Sequence, residues 1–222
     1  MKKNIVVIGL GRFGATLATT LFSLGHDVLA IDIDEKKVQS MASQITHAVR
    51  ADATDEAVLR ELGVANFDVA VVSVGSSIEV SVLSTILLKK LGVRYIVARA
   101  EDELHGSILA KIGADKVVHP RREMGEKVAH GLTLRDVLDY MPLAQKYGVA
   151  KLAAPPYFAG KTLSALGFGR GGKWGMAVLL IQRGKEAVVT PDRTEVIRAD
   201  DILLVAGNDD RLEEMLAEAK SA

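Results

Sequence analysis

A glycine-rich hexapeptide near the start of the chain constrains the fold more than any other feature. The segment Gly9-Leu10-Gly11-Arg12-Phe13-Gly14 follows the apolar run Asn4–Ile8 and precedes a helical pattern over residues 11–24. A G-x-G-x-x-G loop between a strand and a helix is typical of Rossmann-like units. Its glycines allow a tight turn, close approach of the backbone to a phosphate, and close packing of helix on strand. The loop therefore predicts a nucleotide-binding turn.

An acidic residue at the end of the next apolar run supports the same interpretation. Asp32 follows Val28–Ile31 and stands 18 residues after Gly14. A carboxylate there can accept hydrogen bonds from both hydroxyls of an adenosine ribose, and it disfavours a 2′-phosphate. The alternative is a glycine-rich turn without a ligand, next to a surface aspartate. Arg12 is either a solvated side chain or a cation beside the phosphates. The second interpretation favours ATP or ADP and leaves NAD open.

Residues 1–120 alternate short Val/Ile-rich runs with helical patterns. This alternation predicts a doubly wound parallel sheet of six strands with helices on both faces. One of the helices is expected over residues 54–62, with Thr54 as its N-cap. Further candidate residues lie on the loops after three later strands, at the edge where ligands bind in such sheets. They are Asp52, Val74-Gly75-Ser76 and Arg99-Ala100-Glu101, and they represent either ordinary loop polarity or parts of one pocket.

The character of the chain changes after Pro120. Residues 121–140 form one long helical pattern, which we interpret as a connector; Gly131 either weakens this helix or breaks it in two. Residues 141–222 predict a small α+β unit with a short helix at 161–166, a hairpin turn at 183–186 and a terminal amphipathic helix at 209–219. A unit of roughly 80 residues buries little surface alone, which favours dimerisation through it.

Composition and missing motifs exclude several classes of protein. The 28 basic and 28 acidic residues leave no net charge, which argues against a nucleic-acid binder. There is no cysteine, and the five histidines lack the spacing of metal ligands. The chain also lacks a P-loop, and no histidine after His130 offers the acid or base that a dehydrogenase needs. Residues 69–88 are largely apolar but contain five Ser, one Gly, Glu79 and Thr85, so we expect a strand, a loop and a helix rather than a membrane span. The sequence thus predicts a nucleotide site without a reaction centre.

Six sequence blocks resemble the RCK proteins (regulators of K⁺ conductance) of bacterial potassium uptake, the KtrA/TrkA family. The blocks are IVVIGLGRFGATLA, HDVLAIDIDEKKV, THAVRADATDE, DVAVVSVGSSIEVSVLSTILLKKLG, IVARAEDELHGSILAKIGADKVVHP and REMGEKVA. They cover residues 4–140 closely, whereas GKTLSALG and DILLVAG resemble the family's C-terminal lobe more loosely. The resemblance implies a Rossmann-like nucleotide-binding domain at 1–120, a crossover and dimerisation helix at 121–140, and a C-terminal lobe at 141–222.

The resemblance also implies a function. A member of this family is a regulatory subunit without enzymatic activity, which gates a membrane potassium transporter or channel and switches with ATP, ADP or NAD(H) bound at the glycine loop. It forms dimers that assemble into an octameric ring on a KtrB/TrkH-like translocating subunit, at the cytoplasmic face of the membrane, with no nucleic acid as partner. The alternative is an NAD(H)-dependent sensor or oxidoreductase without a membrane partner.

The positions of the family motifs imply a set of cofactor-binding residues, with no catalytic residue and no metal ligand. They are Gly9, Gly11, Arg12, Phe13, Gly14, Asp32, Ile33, Asp34, Asp52, Ala53, Val74, Gly75, Ser76, Arg99, Ala100, Glu101, His105 and Arg121. Arg12 matches the arginine that reaches the terminal phosphate. Some relatives carry, where Arg121 stands, a glutamate that takes part in nucleotide or divalent-cation binding. Arg170 and Pro191 lie in the region where some relatives bind cyclic di-AMP between two subunits.

Overall fold

The computed structural model describes residues 1–75, 77–133 and 137–221. The chain divides into two compact units, residues 1–121 and residues 122–222. Each unit has its own sheet and its own hydrophobic core. Within the described ranges, none of the helices has both the length and the apolar character needed to cross a membrane.

The first unit is built on six parallel strands, as the sequence predicts. They are β1 (Asn4–Ile8), β2 (Asp27–Asp32), β3 (His47–Arg50), β4 (Val69–Val72), β5 (Ile96–Arg99) and β6 (Lys116–Val118). Their spatial order is β3-β2-β1-β4-β5-β6, and every neighbouring pair is parallel. The order reverses between β1 and β4, which creates a crevice at the carboxyl ends of these central strands.

Helices cover both faces of this sheet. They are α1 (Arg12–Ser23), α2 (Glu35–Met41), α3 (Glu56–Glu61), α4 (Ile78–Lys90) and α5 (Glu103–Lys111). Successive side chains of β1 enter two different apolar clusters, with Val6 and Ile8 in one and Ile5 and Val7 in the other. Since neighbouring side chains of a strand point to opposite faces, this division means that both faces of the sheet are buried. The fold class predicted from the sequence, a Rossmann-like doubly wound sheet, is confirmed.

The start of α3 differs from the prediction by two residues. Asp55, not Thr54, is the N-cap, and its carboxylate accepts hydrogen bonds from the backbone N–H groups of Ala57 and Val58. Thr54 instead donates its hydroxyl hydrogen to Oδ1 of Asp52 at 2.7 Å. A carboxylate can accept from two N–H groups at once, and aspartate is among the strongest N-capping residues.

The single helix predicted over residues 121–140 is wrong at its C-terminal end. A helix, α6, spans Pro120–Thr133, but Val137–Ala144 is a strand, β7. Residues 134–136, where the change occurs, lie outside the described residues. In β7, Val137 and Tyr140 point into the core of the second unit, and the strand pairs with residues 147–153. Burial of these side chains and cross-strand hydrogen bonding override a helical pattern that few apolar positions supported.

The second unit contains a five-stranded antiparallel sheet and a terminal helix. Besides β7, its elements are β8 (Tyr147–Ala153), β9 (Ala177–Arg183), β10 (Glu186–Val189), β11 (Ile202–Asn208) and α7 (Asp209–Ser221). The spatial order is β10-β9-β11-β8-β7. The hairpin predicted around residues 183–186 is confirmed by the antiparallel pairing of β9 with β10. This unit has the α+β character predicted for the second lobe, but its first strand begins at Val137, before the predicted boundary at residue 141.

The short helix predicted at 161–166 is also wrong, since these residues form turns. Thr162 pairs with Val196 in an isolated bridge. The N–H groups of Leu163 and Ser164 donate to the carbonyls of Glu195 and Arg193 at 3.0 and 2.8 Å. Hydrogen bonds to a distant segment thus replace those that a helix would have used, and periodicity within six residues does not reveal them.

Candidate functional site

The glycine loop joins β1 to α1 in a conformation that requires glycine at two positions. Gly9 has a φ of +94°, a backbone conformation that side chains with a Cβ rarely adopt. A Cβ on Gly14 would overlap the carbonyl oxygen of Gly9 and Oγ of Ser73. Gly11, by contrast, has a φ of −68° and open space at its Cβ position. The loop is therefore packed tightly against the sheet but open at Gly11.

The N-terminus of α1 is suited to an anion. Gly11 occupies the N-cap, so no side chain caps the first N–H groups of the helix, and its first turn contains no acidic residue. These N–H groups and the positive end of the helix dipole favour a phosphate at this position. Arg12 is exposed at the first helical position, and Phe13 is half-buried.

Asp32 is buried beside the glycine loop. Only 8% of Asp32 is exposed, and its Oδ2 accepts a 2.6 Å hydrogen bond from the backbone N–H of Leu10. Oδ1 accepts from the N–H of Asp34 at 2.9 Å, and Nζ of Lys37 lies 3.4 Å from Oδ2. Oδ2 therefore accepts from both Leu10 and Lys37, whereas Oδ1 keeps a second lone pair, so Asp32 fixes the loop and retains acceptor capacity for a ribose on Oδ1.

The neighbouring residues of β2 and β3 complete this side of the crevice. Ile33 is exposed, and Asp34 caps α2 by accepting from the N–H of Lys36 at 2.9 Å. After β3, Asp52 accepts hydrogen bonds from the backbone and side chain of Thr54, which lower the pKa of its carboxyl. Ala53 is buried. These positions follow the carboxyl ends of β2 and β3, and the N–H of residue 51, which donates to the carbonyl of residue 32, shows that the two ends are neighbours.

On the other side of the glycine loop, the ends of β4 and β5 contact each other. A Cβ on Gly9 would lie 3.1 Å from the backbone nitrogen of Val74. A Cβ on Gly75 would overlap the side chains of Arg99 and Glu101, so these two side chains rest on the Gly75 backbone. Ala100 between them is buried. Ser76, also predicted for the site, lies outside the described residues.

Glu101 is the centre of an ion-pair cluster. Its Oε1 pairs with Nη2 of Arg99, and its Oε2 lies 2.6 Å from Nη1 of Arg121. Its backbone N–H donates to Nδ1 of the buried His105 at 3.3 Å. The proton of a neutral His105 therefore lies on Nε2, which is buried and has no hydrogen-bond partner among the described residues.

The structure therefore brings most of the predicted site residues to one edge of the sheet. Two further residues, which sequence reasoning missed, hold them there. Ser73 is buried, and its hydroxyl donates to the carbonyl oxygen of Gly9 at 2.5 Å. Lys37 pairs with Asp32. The only sequence signal for Ser73 is a small polar residue at the end of an apolar strand, and Lys37 is one of two exposed lysines on α2.

Comparison with known proteins gives matches along nearly the whole chain. The TrkA-N domain family matches residues 5–120, and the TrkA-C domain family matches residues 149–220. Ktr system potassium uptake protein C of Bacillus subtilis (strain 168) is 44% identical over 208 residues, which are 94% of this chain and 93% of that protein. Ktr system potassium uptake protein A of the same organism is 39% identical over 206 residues, or 93% and 92% of the two chains.

A solved structure, the GsuK channel bound to NAD, has a similar fold. It is 20% identical, with a TM-score of 0.63 over 99% of this chain. This chain corresponds to 40% of the length of that channel chain. At this level of identity the likeness supports the architecture, a Rossmann-like unit followed by a smaller lobe.

Proposed function

The chain belongs to the family of TrkA-N and TrkA-C domain proteins that includes the Ktr potassium uptake proteins A and C, and from this premise we propose that it is a nucleotide-regulated subunit of a potassium uptake system. Identity of 44% along 94% of the chain supports this role, because the match includes both units. Under this proposal the chain binds a nucleotide and changes the transport activity of a membrane partner, and it catalyses no reaction of its own.

The observation that carries the nucleotide part is the glycine loop held against Asp32. The uncapped N-terminus of α1 suits the phosphates, and the free lone pair on Oδ1 of Asp32 suits a hydroxyl of an adenosine ribose. The exposed Arg12 would add a charge-assisted contact to a terminal phosphate. We therefore place ATP and ADP first, and NAD(H) second because the GsuK channel binds NAD.

A regulatory role needs a ligand that favours one of two states. A ligand shifts an equilibrium only by its differential affinity for the two states. ATP carries a terminal phosphate that ADP lacks, so a contact of Arg12 with that phosphate would be made with ATP alone. Repeated over the copies of a ring, this difference would bias the shape of the assembly and hence the membrane pore.

The proposed partners are further copies of this chain and a membrane subunit that translocates potassium. In support of self-association, α6 exposes Met124, Val128 and Leu132 at a spacing of four residues, which places them on one face of the helix. We propose dimers joined at this helix, an octameric ring, and a position at the cytoplasmic face of the membrane. For the second unit, where Arg170 is exposed, cyclic di-AMP is the ligand that we propose to test.

Potassium uptake tests this proposal directly. Cells without their own uptake systems would express the membrane subunit of this chain's own system, with or without this chain, and ⁸⁶Rb⁺ uptake would be measured. The proposal predicts that ⁸⁶Rb⁺ uptake by the cells depends on this chain. It also predicts that membrane vesicles prepared from these cells take up ⁸⁶Rb⁺ at different rates when loaded with ATP and when loaded with ADP. Uptake that is the same with and without the chain, and the same in both nucleotides, would overturn it.

A further inference from the structure

The carboxylate of Glu101 has a cation on each of its oxygens. Arg99 pairs with Oε1 and Arg121 with Oε2, although Arg121 lies 20 residues further along the chain. The side chains of Arg99 and Glu101 are 14% and 19% exposed, whereas that of Arg121 is 78% exposed. Two guanidinium groups and one carboxylate leave the cluster with a formal charge of plus one. The exposed part of that charge is on Arg121.

This cluster adjoins the phosphate-binding loop through contacts within the first unit. Arg99 and Glu101 rest on the backbone of Gly75, and the preceding residue, Val74, packs against Gly9. Nη1 of Arg121 is the atom that contacts Glu101, at 2.6 Å. A guanidinium has five N–H donors, so most of those on Arg121 are available to oxygen atoms of a phosphate.

The same cluster does not suit a divalent cation. Mg²⁺ and Ca²⁺ require oxygen ligands, and acidic side chains are the usual protein source. Both oxygens of Glu101 are occupied by arginines, and the positive charge of Arg121 would repel a metal ion there. In the described part of the chain, no three His, Cys, Asp or Glu side chains lie close enough together to hold a metal ion. The donor set therefore does not fit the cation that the resemblance associates with this position.

We propose that Arg121, held in place by Glu101, supplies the positive charge that the terminal phosphates need, so that this chain binds a nucleoside triphosphate without a divalent cation. Glu101 acts as the positioning residue, because its second oxygen holds a long and otherwise mobile side chain near the loop. This inference rests on the nucleotide-binding function proposed above for the same site.

Titration of the full-length, nucleotide-free protein with ATP tests the inference. The titration would be done once in EDTA and once in excess Mg²⁺. We expect the two dissociation constants to agree within about threefold, which is less than 1 kcal/mol. Binding at least about tenfold tighter in Mg²⁺ would overturn the inference and leave nucleotide binding itself intact. If neither ATP, ADP nor NAD(H) binds in either buffer, the proposed function fails, and this inference fails with it.

Variants of Arg121 test whether a positive charge is needed at this particular position. Arg121→Gln should weaken ATP binding in EDTA by about tenfold or more, the effect of losing a charge-assisted hydrogen bond. Arg121→Glu should weaken it further in EDTA and recover part of the affinity in Mg²⁺. The matched control is Arg122→Glu, the same change of charge at an exposed neighbouring residue, which should leave the ratio between the two buffers unchanged. Undiminished ATP binding by Arg121→Gln in EDTA would contradict the inference.

Discussion

The backbone N–H of Leu10 donates a 2.6 Å hydrogen bond to Oδ2 of Asp32, and this bond joins the middle of the glycine loop to the end of β2. The two residues are 22 positions apart, and both lie beside the crevice where the order of the strands reverses. Asp32 therefore has a structural role in shaping the loop, besides the role we propose for it in holding a ribose.

Replacement of Asp32 by asparagine should affect both stability and binding. A carboxamide has only one oxygen acceptor, so its NH₂ group would face one of the N–H donors of Leu10 and Asp34. A buried N–H without a partner costs about 1–3 kcal/mol, so we expect the free energy of unfolding to fall by about that amount. The affinity for adenosine nucleotides should fall as well. Urea unfolding and calorimetric titration measure the two effects.

Asp34→Asn is the matched control for Asp32→Asn. Asn and Asp cap helices about equally well, so the stability of the Asp34 variant should change little. Equal stabilities of Asp32→Asn and the wild-type protein would contradict the prediction that these two backbone N–H groups both need the carboxylate of Asp32.

Gly14→Ala should disrupt the fold of the first unit. Its Cβ would overlap the carbonyl oxygen of Gly9 and the hydroxyl oxygen of Ser73, so α1 would have to move away from β1. Overpacking of this kind costs typically about 1–3 kcal/mol, so we expect a lower Tm together with weaker nucleotide binding. Thermal unfolding followed by circular dichroism measures the loss. A variant with the Tm of the wild-type protein would contradict this prediction.

Gly11→Ala should separate binding from stability. The Cβ position of Gly11 is open and its φ is negative, so the fold accepts a methyl group at a cost of about 1 kcal/mol or less for an N-cap residue. The same methyl group would stand where the backbone approaches a phosphate. We expect a nearly unchanged Tm and at least about a tenfold loss of nucleotide affinity, as from one lost hydrogen bond to a charged group. Unchanged ATP affinity in this variant would mean that the phosphates lie elsewhere.

Arg12→Ala should change the discrimination between ATP and ADP. The side chain is exposed, so its removal should leave the stability unchanged. Losing one contact to the terminal phosphate should reduce the ratio of ATP to ADP affinity by about tenfold or more. Lys111→Ala, at the far end of α5, is the control for loss of a positive charge. A ratio that stays the same in Arg12→Ala would contradict the proposed contact, and parallel titrations with the two nucleotides measure it.

The second unit depends on the ion pair between Arg183 and Asp201. The side chain of Asp201 is 1% exposed, and Nη2 of Arg183 lies 2.9 Å from its Oδ2. Removing one partner of a buried pair leaves an uncompensated charge, which costs about 3–5 kcal/mol. We therefore expect Arg183→Met to destabilise this unit strongly in urea unfolding at pH 7. Lys185→Met, which removes an exposed charge in the adjacent hairpin turn, is the control and should have a small effect.

The same pair predicts a dependence on pH. Burial alone would raise the pKa of the Asp201 carboxyl, but hydrogen bonds from Arg183 and the backbone of Arg198 outweigh burial and lower it. A carboxyl with a lowered pKa stabilises the folded state at any pH above its unfolded pKa of about 4, and this contribution is lost as pH falls through the lower, folded value. The stability difference between wild type and Arg183→Met should therefore be largest near neutral pH and shrink below about pH 4. A difference that stays constant from pH 7 to pH 3 would contradict this account.

The sequence predicts the first unit well because its signals are local. Continuous Val and Ile runs identify the six parallel strands, and the glycines and Asp32 act within one βαβ unit. Errors arise where partners are distant in sequence. Residues 137–140 look helical but belong to β7 because β8 pairs with them, and residues 161–166 form turns because they bond to residues 193–195. Periodicity within a segment contains no information about either partner.

The sequence also gives no information about which distant residues contact each other in the candidate site. The types and order of the loop residues are visible in the sequence, but the contacts between loops depend on the order of the strands. Glu101 bridges Arg99 and Arg121 because the ends of β5 and β6 are neighbours. Ser73 supports Gly9 because β4 lies beside β1. These relationships require the folded sheet.

The central claim is that the open glycine loop binds an adenosine nucleotide. The most direct test is calorimetric titration of the nucleotide-free protein and of Gly11→Ala with ATP, ADP, NAD and NADH in parallel. The account predicts that the wild-type protein binds ATP and ADP more tightly than NAD or NADH, and that Gly11→Ala loses this binding at an unchanged Tm. Preference of the wild-type protein for NADH with no response to ATP, or full ATP binding by Gly11→Ala, would contradict it.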